Sequence, residues 1–194
     1  MKKYLAEALG TGTLTLVVAL SLSENFPVST PVLTGLVLAL FVYTIGHISG
    51  AHINPAVTIG AWSLKKISNQ DALMYIIAQT IGAGIAMFAL SSVMSPANLS
   101  IVASRTVFFA ELIGTFFFTF GIAAVIYEKT PSVMSGLIIG GSLLLGITIA
   151  ATLGSNGVLN PAVAFGIGSF NLLYLLGPIV GSVLGMQAYK YLEH

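Results

Sequence analysis

The run Gly46-His47-Ile48-Ser49-Gly50-Ala51-His52-Ile53-Asn54-Pro55-Ala56-Val57-Thr58 limits the possible folds more than any other stretch of this sequence. It lies inside a long apolar sequence, yet its glycines and polar residues make it a poor plain membrane span. Asn54-Pro55 reads as a helix start. Asparagine is a favoured N-cap, and proline suits the first turn, where its missing N–H would have had no partner. The pattern predicts a helix from Pro55 towards Leu64, preceded by irregular backbone at Gly50 to Ile53. About a hundred residues later, Ser155-Asn156-Gly157-Val158-Leu159 leads into Asn160-Pro161-Ala162-Val163. One Asn-Pro-Ala recurs by chance; two in matching surroundings mark a repeat.

The rest of the chain reads as a membrane protein. Of 194 residues, 56% are hydrophobic and only 7% charged, where a soluble domain carries roughly 25%, and mean hydropathy is +0.98. A soluble globular enzyme is thereby set aside. The formal net charge of +1 offers no footprint for nucleic acid. With no cysteine, disulfides, thiolate metal sites and a cysteine nucleophile are excluded. Met1-Lys2-Lys3-Tyr4-Leu5 looks like the start of a signal peptide, but Glu7 interrupts the apolar run and no convincing cleavage site follows. It is read as a retained first span.

A hydrocarbon core of about 30 Å needs about 20 apolar helical residues. Six segments qualify: Tyr4–Leu22, Pro31–Gly46, Asp71–Val93, Thr106–Tyr127, Pro131–Thr152 and Asn171–Tyr191. The second is short, with a start nearer Phe26 as the alternative. Thr30-Pro31 and Thr130-Pro131 read as an N-cap plus first-turn proline. Short connections at Ser23–Ser29, Met94–Ser104 and Glu128–Thr130 leave one transmembrane domain over 1–194.

Its halves, about 1–98 and 99–194, look alike: Ala6-Glu7-Ala8-Leu9-Gly10-Thr11 matches Ala110-Glu111-Leu112-Ile113-Gly114-Thr115. Three spans per half make the repeat inverted, so the two half-helices enter from opposite faces and meet near the midplane. With the N-terminus inside, six of the seven basic residues (Lys2, Lys3, Lys65, Lys66, Lys129 and Lys190) fall on the cytoplasmic side and only Arg105 outside. The positive-inside tendency therefore puts both termini in the cytoplasm, and the plasma membrane is the expected location.

The two boxes, with the repeat around them, give the chain a resemblance to the aquaporin (major intrinsic protein) family over nearly its whole length. The first box, HISGAHINPAVT, is close to the family form. The resemblance implies an all-α membrane protein: six transmembrane helices plus two re-entrant half-helices in an inverted 3+3 repeat, assembled as a homotetramer in membrane lipid. It implies that Glu7 and Glu111 hold the half-helix loops. Acids within spans are functional candidates by default, and a proton relay is the other reading. It also implies an outer selectivity filter of four positions, which fall here on Thr34, Thr148, Gly157 and Val163. Water-selective relatives carry an aromatic, His, a small residue and Arg at these places; glycerol-conducting ones keep the Arg. Val163 departs from both. The expectation is a constriction wider and less cationic than a strict water filter, with glycerol, urea, peroxide and arsenite as candidate solutes beside water. Some bacterial relatives linked to arsenic resistance are similar in having Val there.

Irregular backbone at membrane depth survives only where protein buries it or where it lines a wet cavity. Gly50, Ala51 and His52, with Asn156, Gly157 and Val158, are thus expected to present carbonyls to a pore. At the midplane lie Asn54, Pro55 and Ala56 with Asn160, Pro161 and Ala162. The asparagine oxygens cap their own helices, leaving the NH₂ groups to donate to a passing oxygen, while two helix N-termini oppose cations. The expected function is a passive channel for water and small neutral solutes, with no cofactor and no metal. His47 and His52 have no third ligand at sensible spacing. An ion-coupled secondary transporter and a structural membrane protein with a vestigial pore are the alternatives. No nucleophile–base–acid set points to an enzyme.

Overall fold

The computed structural model describes residues 1–22, 27–93 and 104–193. The expected connections at Ser23–Ser29 and Met94–Ser104, the alternative start near Phe26 and the repeat boundary at 98/99 fall wholly or partly outside them. The described elements are α1 (Lys2–Ser21), α2 (Thr30–Ser49), α3 (Pro55–Ser63), α4 (Asn69–Ser91), α5 (Arg105–Ile126), a 3₁₀ turn (Ser132–Met134), α6 (Ser135–Thr152), α7 (Pro161–Gly166) and α8 (Leu172–Glu193). Six of them, counting the 3₁₀ turn with α6, are long and apolar enough to cross a membrane. The protein is an integral, multi-pass, all-α membrane protein with two short helices between its spans.

The spans end where local chemistry stops them. Thr30-Pro31 does open α2, but that helix runs past Gly46 to Ser49 before Gly50, at φ 86°, closes it in the left-handed conformation. Such a residue is the usual helix stop; Gly46, inside the helix, is not. The fifth span begins beside Pro131 as expected, but its first turn, Ser132–Met134, is 3₁₀ and the regular α6 starts at Ser135.

Packing follows the internal repeat. Helix α1 packs on α2 and α4 as α5 packs on α6 and α8, and α2 meets α6 across the centre. The short helices exchange sides: α3 lies mainly against α8, and α7 mainly against α4. Close crossing is secured by glycine. A Cβ at Gly82 of α4 would run into the Ala8 carbonyl oxygen of α1, and one at Gly181 of α8 into that of Leu112 on α5. Small residues at a crossing let backbones approach where lipid supplies no hydrophobic drive.

Candidate functional site

The half-helix loops are built on strained backbone. Ala51 (φ 48°) and Gly157 (φ 64°) occupy equivalent repeat positions, as do Ile53 (φ 39°) and Leu159 (φ 52°), all in the left-handed region. Each non-glycine residue there costs about 1–3 kcal/mol unless its surroundings over-determine it. Here they do. Glu7 Oε2 accepts from Ile53 N–H at 2.6 Å and its Oε1 from His52 N–H at 2.9 Å. Glu111 accepts from Leu159 N–H at 2.7 Å and Val158 N–H at 3.0 Å. Both acids are fully buried. Ser49 and Gln79 complete the shell of Glu7, and Ser155 that of Glu111.

The carbonyls of the same two residues are held from the opposite repeat. Asn54 Nδ2 donates to Leu159 O at 2.9 Å, and Asn160 Nδ2 to Ile53 O at 3.0 Å. The asparagine oxygens accept from their own helices: Asn54 Oδ1 from Ala56 N–H at 2.8 Å, and Asn160 Oδ1 from Ala162 N–H at 3.1 Å and Val163 N–H at 3.3 Å. Pro55 and Pro161 fill the first turns, with Ala56 and Ala162 buried behind them. This corrects the expectation of free NH₂ groups. One N–H of each amide is committed to the crossed bond, and the other has no partner among the described residues.

Two cavities meet at these loops. One, called outer from the expected cytoplasmic position of both termini, has a volume of about 110 Å³ and is lined by Asn54, Asn160, Asn156, Gly157 and Val158 and by a largely aliphatic wall. The inner one, of about 560 Å³, takes in Gly50, Ala51 and His52, with His47 and Lys66 among its walls. Among the described residues, no donor reaches the carbonyl oxygens of Gly50, Ala51, His52, Asn156, Gly157 or Val158.

Of the four filter positions, Thr34, Gly157 and Val163 line the outer cavity. Thr148 does not. It is exposed on the outer face of α6, its hydroxyl bonded back to Leu144 O at 2.8 Å. Ile147 and Leu143 face the cavity instead, because one residue along a helix is a rotation of about 100°. Leu14, Val18, Leu38, Phe118 and Ile167 also line it, and no sequence signal had singled them out. Among the described residues, no Lys, Arg, Asp or Glu side chain lines this cavity, and His52 is the one titratable group on its wall. The expected gap is a different matter: Val163 is only 2% exposed and sits in the apolar core with Ile147 and Ile167.

Comparison with known proteins places this arrangement. The chain is 35% identical to aquaporin AqpM of Methanothermobacter marburgensis over 184 residues, 81% of this chain and 74% of that one. It is also 35% identical to glycerol uptake facilitator protein-like 6 of Lactiplantibacillus plantarum, over 95% of this chain and 94% of the relative. Its fold is similar to the X-ray structure of the aquaglyceroporin from Plasmodium falciparum, with a TM-score of 0.67 at 23% identity, covering 98% of this chain and 93% of that one. The family model of the major intrinsic proteins matches residues 1–189, and the chain belongs to that family.

Proposed function

We propose that this chain, a passive channel for water and small solutes, passes uncharged solutes of glycerol or urea size and opposes ions at its centre. The observation that carries the reading is the crossed pair Asn54–Leu159 and Asn160–Ile53, whose asparagines line the outer cavity together with Leu38, His52 and Phe118, the residues it shares with the inner one. One free amide N–H from each asparagine can orient a solute oxygen there. The N-terminus of α3, and more weakly that of the six-residue α7, adds positive potential that a cation would have to climb. The unpaired carbonyls on either side serve as acceptors along the path. Nothing in this arrangement makes or breaks a bond, so the chain is read as a channel rather than an enzyme.

Glycerol, urea, peroxide and undissociated arsenite are the candidate cargoes beside water, because the outer cavity offers no fixed cation to match to water alone. Six basic residues on one side favour cytoplasmic termini, in the plasma membrane, and family membership supports a homotetramer. Glu7 and Glu111 serve as loop anchors on this reading, since their hydrogen bonds all go to the loops or to the helices beside them.

Stopped-flow light scattering on proteoliposomes tests the proposal. The native channel is expected to raise water, urea and glycerol flux above empty liposomes, always down the gradient. Val163→Arg is expected to cut glycerol and urea by a larger factor than water, by at least about tenfold for glycerol. Uphill accumulation, or native exclusion of urea and glycerol, would overturn it.

A further inference from the structure

Leu38, His52 and Phe118 are common to the walls of both cavities. On the channel reading, a solute leaving one cavity for the other meets these three residues. They come from three places: Leu38 lies one turn after Thr34 on α2, His52 is on the first loop, and Phe118 is on α5. Leu38 and Phe118 are almost wholly buried.

The internal repeat supplies a built-in comparison. The residues at equivalent positions, Leu143, Val158 and Leu14, line the outer cavity only. Where one set has an aromatic ring and an imidazole, the other has leucine and valine. The inner set is therefore the bulkier of the two, and the only one with a polar side chain.

The state of that imidazole follows from hydrogen-bond accounting. Thr58 spends its single hydroxyl proton on Asn54 O at 3.0 Å and accepts from Gln79 Nε2 at 2.9 Å. With the hydroxyl proton placed there, we assign His52 Nδ1, 3.2 Å from the same Thr58 oxygen, as the donor in that contact. Its Nε2 is left as a lone-pair acceptor. The equivalent of Thr58 in the second repeat is Ala164, so the arrangement has no counterpart on the outer side.

We propose that Leu38, His52 and Phe118 form a second constriction, on the inner side of the Asn54–Asn160 pair, which selects among neutral solutes for small hydrogen-bond donors. Two hydrocarbon walls and one acceptor reward a solute that gives a hydrogen bond and has little else to desolvate. The proposal rests on the channel reading and refines it, since it moves the deciding step inward from the outer filter.

The test is solute flux in proteoliposomes for the parent, Phe118→Leu, Leu38→Ala, His52→Val and, as an outer-wall control, Val163→Ala. Phe118→Leu and His52→Val each install the residue of the equivalent repeat position. Phe118→Leu and Leu38→Ala are expected to raise the glycerol-to-water ratio about fivefold or more, with Val163→Ala changing it by less than about twofold. Valine is smaller than histidine, so a purely steric role predicts that His52→Val raises urea flux. The acceptor role predicts a fall of several-fold. Either inner variant that folds, as judged by retained water flux, decides the steric point. Unchanged ratios at Leu38 and Phe118 alongside a raised ratio for Val163→Ala would overturn the inner constriction, and a rise in urea flux for His52→Val would overturn its chemistry. No flux of any solute in the parent would instead refute the channel reading itself.

Discussion

Ile53 and Leu159 show how much a single residue carries in this chain. Each sits in a left-handed conformation, its N–H held by the carboxylate of its own repeat and its carbonyl by the asparagine of the other. Replacing Glu7 or Glu111 by glutamine tests that division of labour. A hydroxyl such as Ser49 or Ser155 can turn to accept from a new NH₂ group, and the Gln79 amide can flip, but a backbone N–H cannot. Whichever way the new amide points, one buried loop N–H in each mutant loses its acceptor. Each substitution is expected to cost about 1–3 kcal/mol, read as a lowered Tm in detergent. Water flux per folded channel is expected to be unchanged with pH, whereas a proton relay would lose a pH-dependent component.

At the level of the helices, the crossings set the tolerances. Gly82→Val would drive a side chain into the Ala8 carbonyl and part α1 from α4; a cost of about 1–3 kcal/mol or more is expected. Gly84 lies two residues on, with only the edge of Phe165 nearby at 3.6 Å. Gly84→Ala is expected to be neutral or to gain up to about 1 kcal/mol through helix propensity. Thermal melts of the two variants side by side check the contrast. The starts of α2, α3 and α7 were legible in sequence because Thr-Pro and Asn-Pro are local chemistry, whereas Thr130-Pro131 leads only into the 3₁₀ turn ahead of α6. The facing of α6 was not. That helix is apolar almost all round, so no polar stripe tells which side meets the pore. Counting back from Asn160 to Thr148 also crosses the non-helical segment between Thr152 and Pro161, where no helical period applies. Ile147 could be found only from the fold. Phe118 was hidden for a similar reason, as one of three aromatics among Phe116, Phe117 and Phe118 on an apolar span.

Across the whole molecule, the exchange of short helices bears on the order of biosynthesis. α3 is made early, but its seat is on α8, where Gly60 lies against Ser182 and Met186. α8 is the last of the described elements to be made. The first half-helix must therefore wait for its main contact while α4 to α7 are made, and α7 finds α4 already in place. Absence of cysteine makes the wait measurable, because one introduced thiol is the only one present. Ala56 is fully buried in the finished protein and lines neither cavity. Ala56→Cys is expected to resist a maleimide in the full chain, yet to react in a nascent chain arrested before Leu172. Protection already present in the arrested chain would mean that α3 finds its place without α8. If the expected pattern holds, the channel closes its core only once α8 has been made, and truncations that remove α8 should be cleared as misassembled chains rather than persist as leaky pores.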